Sequence, residues 1–367
     1  MSKDRVTIGL LVLLIFLAGC GDQRILERTG FIQSTSYDLL PNGRVKFSIS
    51  LPKADPEIKV SREFLTTVAL SGKEARIKLA RETNLMLVSG QLRTTLFGLS
   101  IARAGLWDHM DTLLRDPTIS EQAKIVIVNG DAHELLQKNY KEYPRTGQYV
   151  DRLVEKEATG HTIPLTTLYS FTRDYHDDGI EPVAPIVKDA GQNIVVDGVA
   201  LFHGSSYVDK IKADDSLIFA FLRGNFKHGE ISVDLTKDTK ESKTAMLSSL
   251  ASKRKVDVRH ETNGRTTVNM QVSVKVSVME YVGKFRLSND AQRHTLEQQI
   301  SEIMTNRAAR LIKFLQEKKI DSIGAGIYVR NSMSYRAWKK LNWYEEFPNV
   351  NLQCKVKVKI KDYGFLR

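Results

Sequence analysis

With two cysteines in 367 residues, Cys20 and Cys354, the chain has no disulfide framework, no CxxC redox pair and no cysteine-based metal site. Its eight histidines are scattered without an HxxxH pair, so the helical zinc signature is missing too. There is no GxSxG elbow: Ser205 and Ser206 follow Gly204 in His203-Gly204-Ser205-Ser206 and read as a loop between strands rather than as a nucleophile. A dinucleotide loop is also absent, because Gly324-Ala325-Gly326 lacks the third glycine. Followed by Ile327, Tyr328 and Val329, it reads as a helix-to-strand turn. The one dense set of hard or borderline ligands is Asp174, His176, Asp177 and Asp178, for which a solvated loop before Gly179 is a simpler reading than a divalent-cation site. These absences leave catalysis without a constellation, so the expectation is a protein that is not an enzyme and carries no cofactor or metal.

Long apolar runs are equally scarce. Ile8 to Phe16 is almost wholly apolar, but it is too short to span a bilayer and lacks a basic stop-transfer flank. Behind the charged Lys3 and Arg5 it reads as a signal peptide over residues 1–19. It closes on Leu17-Ala18-Gly19-Cys20, which resembles the bacterial lipobox. That resemblance implies cleavage between Gly19 and Cys20, a diacylglyceryl group on the Cys20 thiol and an acyl group on the new amino terminus. Two acyl chains, at about 0.8 kcal/mol per buried methylene, hold a soluble protein on a membrane where one chain is marginal. The mature protein is therefore expected to begin at Cys20 and to lie outside the cytoplasmic membrane, and Cys354 is left without a disulfide partner.

The formal net charge is +11, and residues 1–19 contribute Lys3, Arg5 and Asp4, which leaves +10 on the mature chain. Outside the membrane such a protein meets anionic headgroups and wall polymers, and nucleic acid is excluded as a partner by compartment. The length, with 42% hydrophobic and 26% charged residues, supports two or three ordinary globular domains.

Periodicity supplies the elements. Gly30 to Leu51 predicts a hairpin around Pro41-Asn42-Gly43, with Val45, Phe47 and Ile49 alternating. Lys53 to Glu82 is polar and mixed and places no element. Helices are expected near Thr94 to Ala104, over Leu106 to Leu114 until Arg115-Asp116-Pro117, over Ala132 to Lys138 and over Tyr149 to Ala158. Lys124 to Val128 predicts a short apolar strand, Gly160 to Gly191 holds several breakers, and Asn193 to Phe202 is a strand beside a domain boundary. Val268, Met270, Val272, Val274, Val276 and Val278 alternate with polar residues as a half-buried strand. Ser288 is placed to cap a helix with the stripe Leu296, Ile300, Ile303, Leu311 and Leu315. The last strand sets Val350, Leu352, Cys354, Val356, Val358 and Ile360 inward and Lys355, Lys357, Lys359 and Lys361 outward. Cys354 thus reads as a small core residue, Trp338, Trp343 and Phe347 as packing rather than a ligand pocket, and the lysine row as a protected edge, with anionic lipid as the sharper alternative.

The order of these segments resembles the Ger(x)C family, the lipoprotein C subunit of nutrient germinant receptors in endospore-forming bacteria. The blocks are Cys20 with Asp22, Arg24 and Leu26; Phe97-Gly98 through Ala102-Arg103 to Gly105-Leu106; Leu114-Arg115-Asp116; Gly130-Asp131-Ala132; and Gly198-Val199-Ala200-Leu201-Phe202. The most specific block is Asp321-Ser322-Ile323-Gly324-Ala325-Gly326 with Trp338, Asn342-Trp343, Phe347-Pro348 and the lysine-alternating strand to Gly364. Gly21 and Ile25 depart from the family's usual tryptophan and acidic residue after the lipidated cysteine.

The resemblance implies an α/β mixed (α+β) multi-domain fold, each domain a mostly antiparallel or mixed sheet packed with helices. It places residues 20–192 in an N-terminal domain and 193–367 in a C-terminal one, with a possible subdivision near 255. It also implies a non-catalytic accessory subunit, required for germination in response to nutrients and held on the outer surface of the spore inner membrane. Its partners there would be a multi-span A subunit and a transporter-like B subunit, with membrane lipid reached through Cys20. The alternative, a substrate-binding lipoprotein of an ABC importer, expects two lobes of parallel sheet.

Overall fold

The computed structural model describes residues 28–53, 62–143, 145–160, 162–236, 243–261 and 265–364. It is a mixed α+β protein with two large sheets, and it carries fourteen strands and eleven helices among the described residues. The first half comprises β1 (Thr29–Phe31), β2 (Ser34–Leu39), β3 (Val45–Pro52), β4 (Arg62–Ala69), α1 (Gly72–Leu79), β5 (Met86–Val88), β6 (Thr94–Gly98), α2 (Leu99–Ala104), α3 (Trp107–Leu114), β7 (Lys124–Val128), α4 (Ala132–Gln137), α5 (Thr146–Thr159), α6 (Leu168–His176), β8 (Val183–Asp189), β9 (Ile194–His203) and β10 (Ser206–Ile211). The second comprises α7 (Ser216–Arg223), β11 (Gly229–Asp234), β12 (Thr244–His260), β13 (Thr266–Val282), α8 (Asp290–Glu317), α9 (Ala325–Asn331), α10 (Tyr335–Lys340), α11 (Trp343–Glu346) and β14 (Asn351–Asp362).

The large sheet has eight strands in the order β10-β9-β8-β7-β6-β2-β3-β4. Its centre, β2, β6, β7 and β8, is parallel, and antiparallel pairs extend it on both sides. Helices cover both faces of that centre, which is why β7, Lys-Ile-Val-Ile-Val, reads as a continuous apolar run with its last four residues buried. Leu135 of α4 and Val150 and Val154 of α5 pack on one face. Ile101 of α2, Met110 of α3 and Phe171 of α6 pack on the other. The second sheet, β11-β12-β13-β14, is antiparallel except for the parallel pair β13 and β14. α7, buried through Leu217, Ile218, Phe219, Phe221 and Leu222, lies in one continuous hydrophobic cluster with residues of both sheets. β1 and β5 form a short parallel pair of their own.

Several sequence expectations change. Thr94–Gly98 is a strand, and the helix starts only at Leu99, because Thr94, Thr95, Leu96 and Phe97 are buried between parallel neighbours. Gly324-Ala325-Gly326 is no helix-to-strand turn: it opens α9, so Ile327 and Val329 are helical despite their β-branching. Asn289, not Ser288, caps α8, its side chain accepting from Gln292 N. Val350 is buried but precedes β14, which begins at Asn351. The breaker-rich Gly160–Gly191 holds both α6 and β8. The junction 192/193 lies in the turn between β8 and β9, which pair in one sheet, and β12 runs unbroken through Lys255.

Candidate functional site

The two sheets are joined by a polar knot at the loop after α6. Asp321 is fully buried there. Its Oδ1 accepts from the N–H of Ala325 at 3.0 Å, and its Oδ2 accepts from the N–H of Gly326 at 2.6 Å and from Trp343 Nε1 at 3.0 Å. The carboxylate therefore takes up the free N–H groups that start α9 and fixes α11 against them. Burial pushes its carboxyl up to about 6 against the pull of these donors.

Glycines bring the backbones together. A Cβ on Gly179 would lie 2.6 Å from Ile327 N, and one on Gly326 would lie 2.5 Å from Trp343 Nε1 and 2.9 Å from Gly179 Cα. Only residues without a side chain fit at this crossing. Gly179 O accepts from Ile327 N at 3.1 Å, and Asp321 O accepts from Glu181 N at 2.9 Å.

Charges flank the crossing. Arg223, at the end of α7, donates to Asp174 and to the carbonyl of Ser322. Arg330 pairs with Asp177 at 2.8 Å and Lys339 with Asp178 at 2.6 Å. Glu181 is buried, its Oε2 accepting from Gly204 N at 2.8 Å while its Oε1 lies 3.6 Å from His203 Nδ1. Burial pushes that carboxyl up to about 7.

The four residues of the dense acidic set are thus each engaged: three carboxylates face cations from beyond residue 200, and His176 packs edge-on to Trp107 at 4.8 Å. Among the described residues no group of three or more His, Cys, Asp or Glu is arranged to hold a metal. Trp338, Trp343 and Phe347 are buried, with successive ring centroids 5.6 and 5.9 Å apart, and they pack the core beneath α9. Gly204 and Ser205 form the turn between β9 and β10, with Ser205 O accepting from Leu106 N. Cys354 is half-buried and its thiol is pushed up to about 12 by burial, which removes thiolate character. Gly19 and Cys20 lie outside the described residues.

Sequence reasoning quoted Asp321 without giving it a task and Gly179 only as the end of a loop, and it missed Glu181 and Arg223. A carboxylate four residues before an Ala-Gly pair is the available signal for a helix start. The partners of Glu181 and Arg223 are distant in sequence and leave no local trace. A cavity under α1, lined by Tyr37, Phe47 and Ile49 with Asp116 at its rim, has about 40 Å³, whereas open clefts of about 450 Å³ beside Ala158, Ile163, Phe219 and Phe226 and of about 650 Å³ between α8 and β14, at Ser301, Thr305, Val356 and Val358, fall within the roughly 300–1,000 Å³ of small-molecule sites.

Comparison with known proteins gives matching limits. Residues 22–189 match the family model described as spore germination protein N-terminal domain, and residues 197–364 match the spore germination B3/GerAC-like C-terminal model. The chain is 26% identical over 356 residues to the spore germination protein GerQC of Bacillus cereus, covering 96% of this chain and 97% of that protein. It is 21% identical over 379 residues to the putative spore germination protein YfkR of Bacillus subtilis (strain 168), covering 97% and 96%. The crystal structure of the GerBC protein shares the fold with a TM-score of 0.57 at 16% identity, covering 92% of this chain and 100% of that one.

Proposed function

We propose, from the premise that the chain belongs to the Ger(x)C family of spore germination proteins, that it is the lipid-anchored accessory subunit of a nutrient germinant receptor. The observation that carries this is the pair of family matches filling residues 22–189 and 197–364 directly behind a lipobox at Leu17–Cys20. Cys20 takes the diacylglyceryl and N-acyl groups after cleavage behind Gly19. The protein then stands on the outer surface of the spore inner membrane beside the membrane-embedded A and B subunits. Among the described residues no helix is long and apolar enough to cross a membrane. Anchoring confines the subunit to two dimensions, where weak contacts with membrane partners act at high effective concentration. Its work is assembly and binding, not catalysis. Residues 20–192 and 193–367 are its two sequence units, the second lending β9 and β10 to the first sheet.

The importer reading asks for two lobes of parallel sheet. β11 to β14 do not have that geometry, since two of their three pairings are antiparallel. The test is deletion in a background without paralogous receptors, following loss of refractility under several nutrients. Deletion spores should lose or strongly delay nutrient germination while still sporulating and responding to receptor-independent chemical triggers. A Cys20→Ala allele should fail to incorporate tagged fatty acid. Normal nutrient germination in the deletion strain would refute the assignment, and labelling of the Cys20→Ala protein would refute the anchor.

A further inference from the structure

α1 packs Ala75 and Leu79 inward, but its other side presents Ile77 to solvent at 58% exposure, one turn after the exposed Lys73 and one turn before the exposed Arg81. Arg76 Nη2 donates to Leu87 O at 3.1 Å and so ties this helix to β5, whose Met86 is 57% exposed. Met86 pairs in register with Thr29, and the exposed Arg28 immediately precedes it. Two uncovered apolar side chains, Ile77 and Met86, and the exposed Arg28 and Arg81 are therefore carried on or beside β1, α1 and β5, three linked elements that include the first of the described chain. From Lys73 to Glu82 four basic residues stand against Glu74 and Glu82; Glu74 is paired with Lys78 at 2.7 Å, and Lys73 and Arg76 are paired with Asp116 at 3.1 and 3.0 Å, which leaves Arg81 and Arg28 as the cations of this face.

The distance to the anchor decides what this face meets. The eight residue steps from Cys20 to Arg28 span at most about 28 Å. A globular chain of roughly 350 residues has a radius of gyration of about 20 Å and so a diameter nearer 50 Å. A lipid on Cys20 can therefore bring only the Arg28 end to the bilayer. We propose that the α1–β5 face is a second, non-covalent membrane contact, in which Ile77 and Met86 enter the headgroup layer of an anionic bilayer while Arg81 and Arg28 meet its phosphates. The direction of docking rests on the lipid-anchor reading, and the chemistry of the face does not. Basic residues around a few apolar ones are the composition of surface-lying amphipathic segments, and one further contact turns a tether into an orientation.

The test uses the mature chain carrying Cys20→Ser and Cys354→Ser, so that no lipid is attached. Vesicles are of phosphatidylcholine alone or with about one-third phosphatidylglycerol. The protein should float with the anionic vesicles only, and Ile77→Glu combined with Arg81→Glu should weaken that binding by roughly tenfold or more at an unchanged melting temperature. An environment-sensitive dye on the Met86→Cys protein should shift to the blue on vesicles, whereas the same dye on Lys357→Cys, in the lysine row of β14, should not. No flotation, equal flotation on neutral vesicles, or a shift as large from the Lys357→Cys protein would overturn the proposal. Because this protein lacks Cys20, a failed anchor would show in fatty-acid labelling of the cell-made protein and would leave the vesicle result standing.

Discussion

Two buried carboxylates hold short helices that have little stability of their own. Asp321 accepts from the first N–H groups of α9, and Asp38, on β2, accepts from Ala132 N and His133 N of α4, each at 2.8 Å. A helix of six or seven residues is too short to persist alone, so a fixed anion at its start substitutes for length. Gly98 is required beside Asp38, since a Cβ there would lie 1.8 Å from Oδ1. Burial raises Asp38 to about 6 and Glu181 to about 7. A carboxyl raised on folding is protonated more readily in the folded than in the unfolded chain. It therefore adds stability fully below its ordinary value, and that stability is lost as pH climbs through the raised one. The groups facing Glu181 are His203, Tyr344, Asp321 and Arg223, whose guanidinium reaches the Glu181 carbonyl at 3.4 Å. Lowering the pH from 8 to 5 should accordingly gain stability on the order of 2 kcal/mol through Glu181, against an opposing loss from His109 and His133, which burial holds below the ordinary histidine value. Glu181→Gln should remove much of that slope in melts recorded across the range, and an identical slope in both proteins would rule out Glu181 as its source.

At the scale of elements, β14 is an edge of its sheet, yet three of its outward N–H groups are occupied. Val356, Val358 and Ile360 donate to Thr305 Oγ1 at 3.0 Å, Ser301 Oγ at 2.9 Å and Glu297 Oε1 at 2.8 Å, three side chains spaced one turn apart on α8. The helix thus takes the place a further strand would fill, and the exposed lysines guard what remains. Alternation in β13 and β14 was legible because each strand buries one face only, which writes a period of two into the residue types. The helix ladder was not, since Ser301 and Thr305 read as an ordinary polar face. β4 and α1 inside Lys53–Glu82 escaped for a related reason: β4 is only half-buried along most of its length. Val356 is 1% exposed and Lys357 projects to solvent. Val356→Asp should therefore cost about 3 kcal/mol or more through an unpaired buried charge, and Lys357→Asp no more than about 0.5 kcal/mol. Thermal melts of the mature unlipidated chain decide this, and equal losses would mean the facing is wrong.

For the whole molecule, the family blocks recorded in sequence turn out to be places where distant segments meet. Gly130-Asp131-Ala132 is the turn into the helix held by Asp38, and Asp321 to Gly326 is the turn into the helix held against Gly179. Block order was legible, whereas the pairing of blocks was not, because the Gly179–Gly326 approach joins segments almost 150 residues apart and involves backbone more than side chains. That approach makes the crossing a sensitive point for the union of the two sheets. Neither glycine has a positive φ, so the demand is for space rather than for backbone freedom. In Gly179→Ala the new methyl would meet Ile327 N and the Gly326 carbonyl carbon, at 2.6 and 2.8 Å in the undisturbed structure, and backbone cannot swing aside as a side chain tip can. The loop and α9 must then part, which weakens the bonds of Asp321, Arg330 and Lys339 together. We expect a loss of about 2–4 kcal/mol and faster amide exchange over residues 174–181 and 321–345 at once, with the strands of the large sheet keeping their protection. Exchange confined to the substituted loop, or a melting temperature equal to that of the unaltered chain, would show that the crossing does not hold the two sheets together.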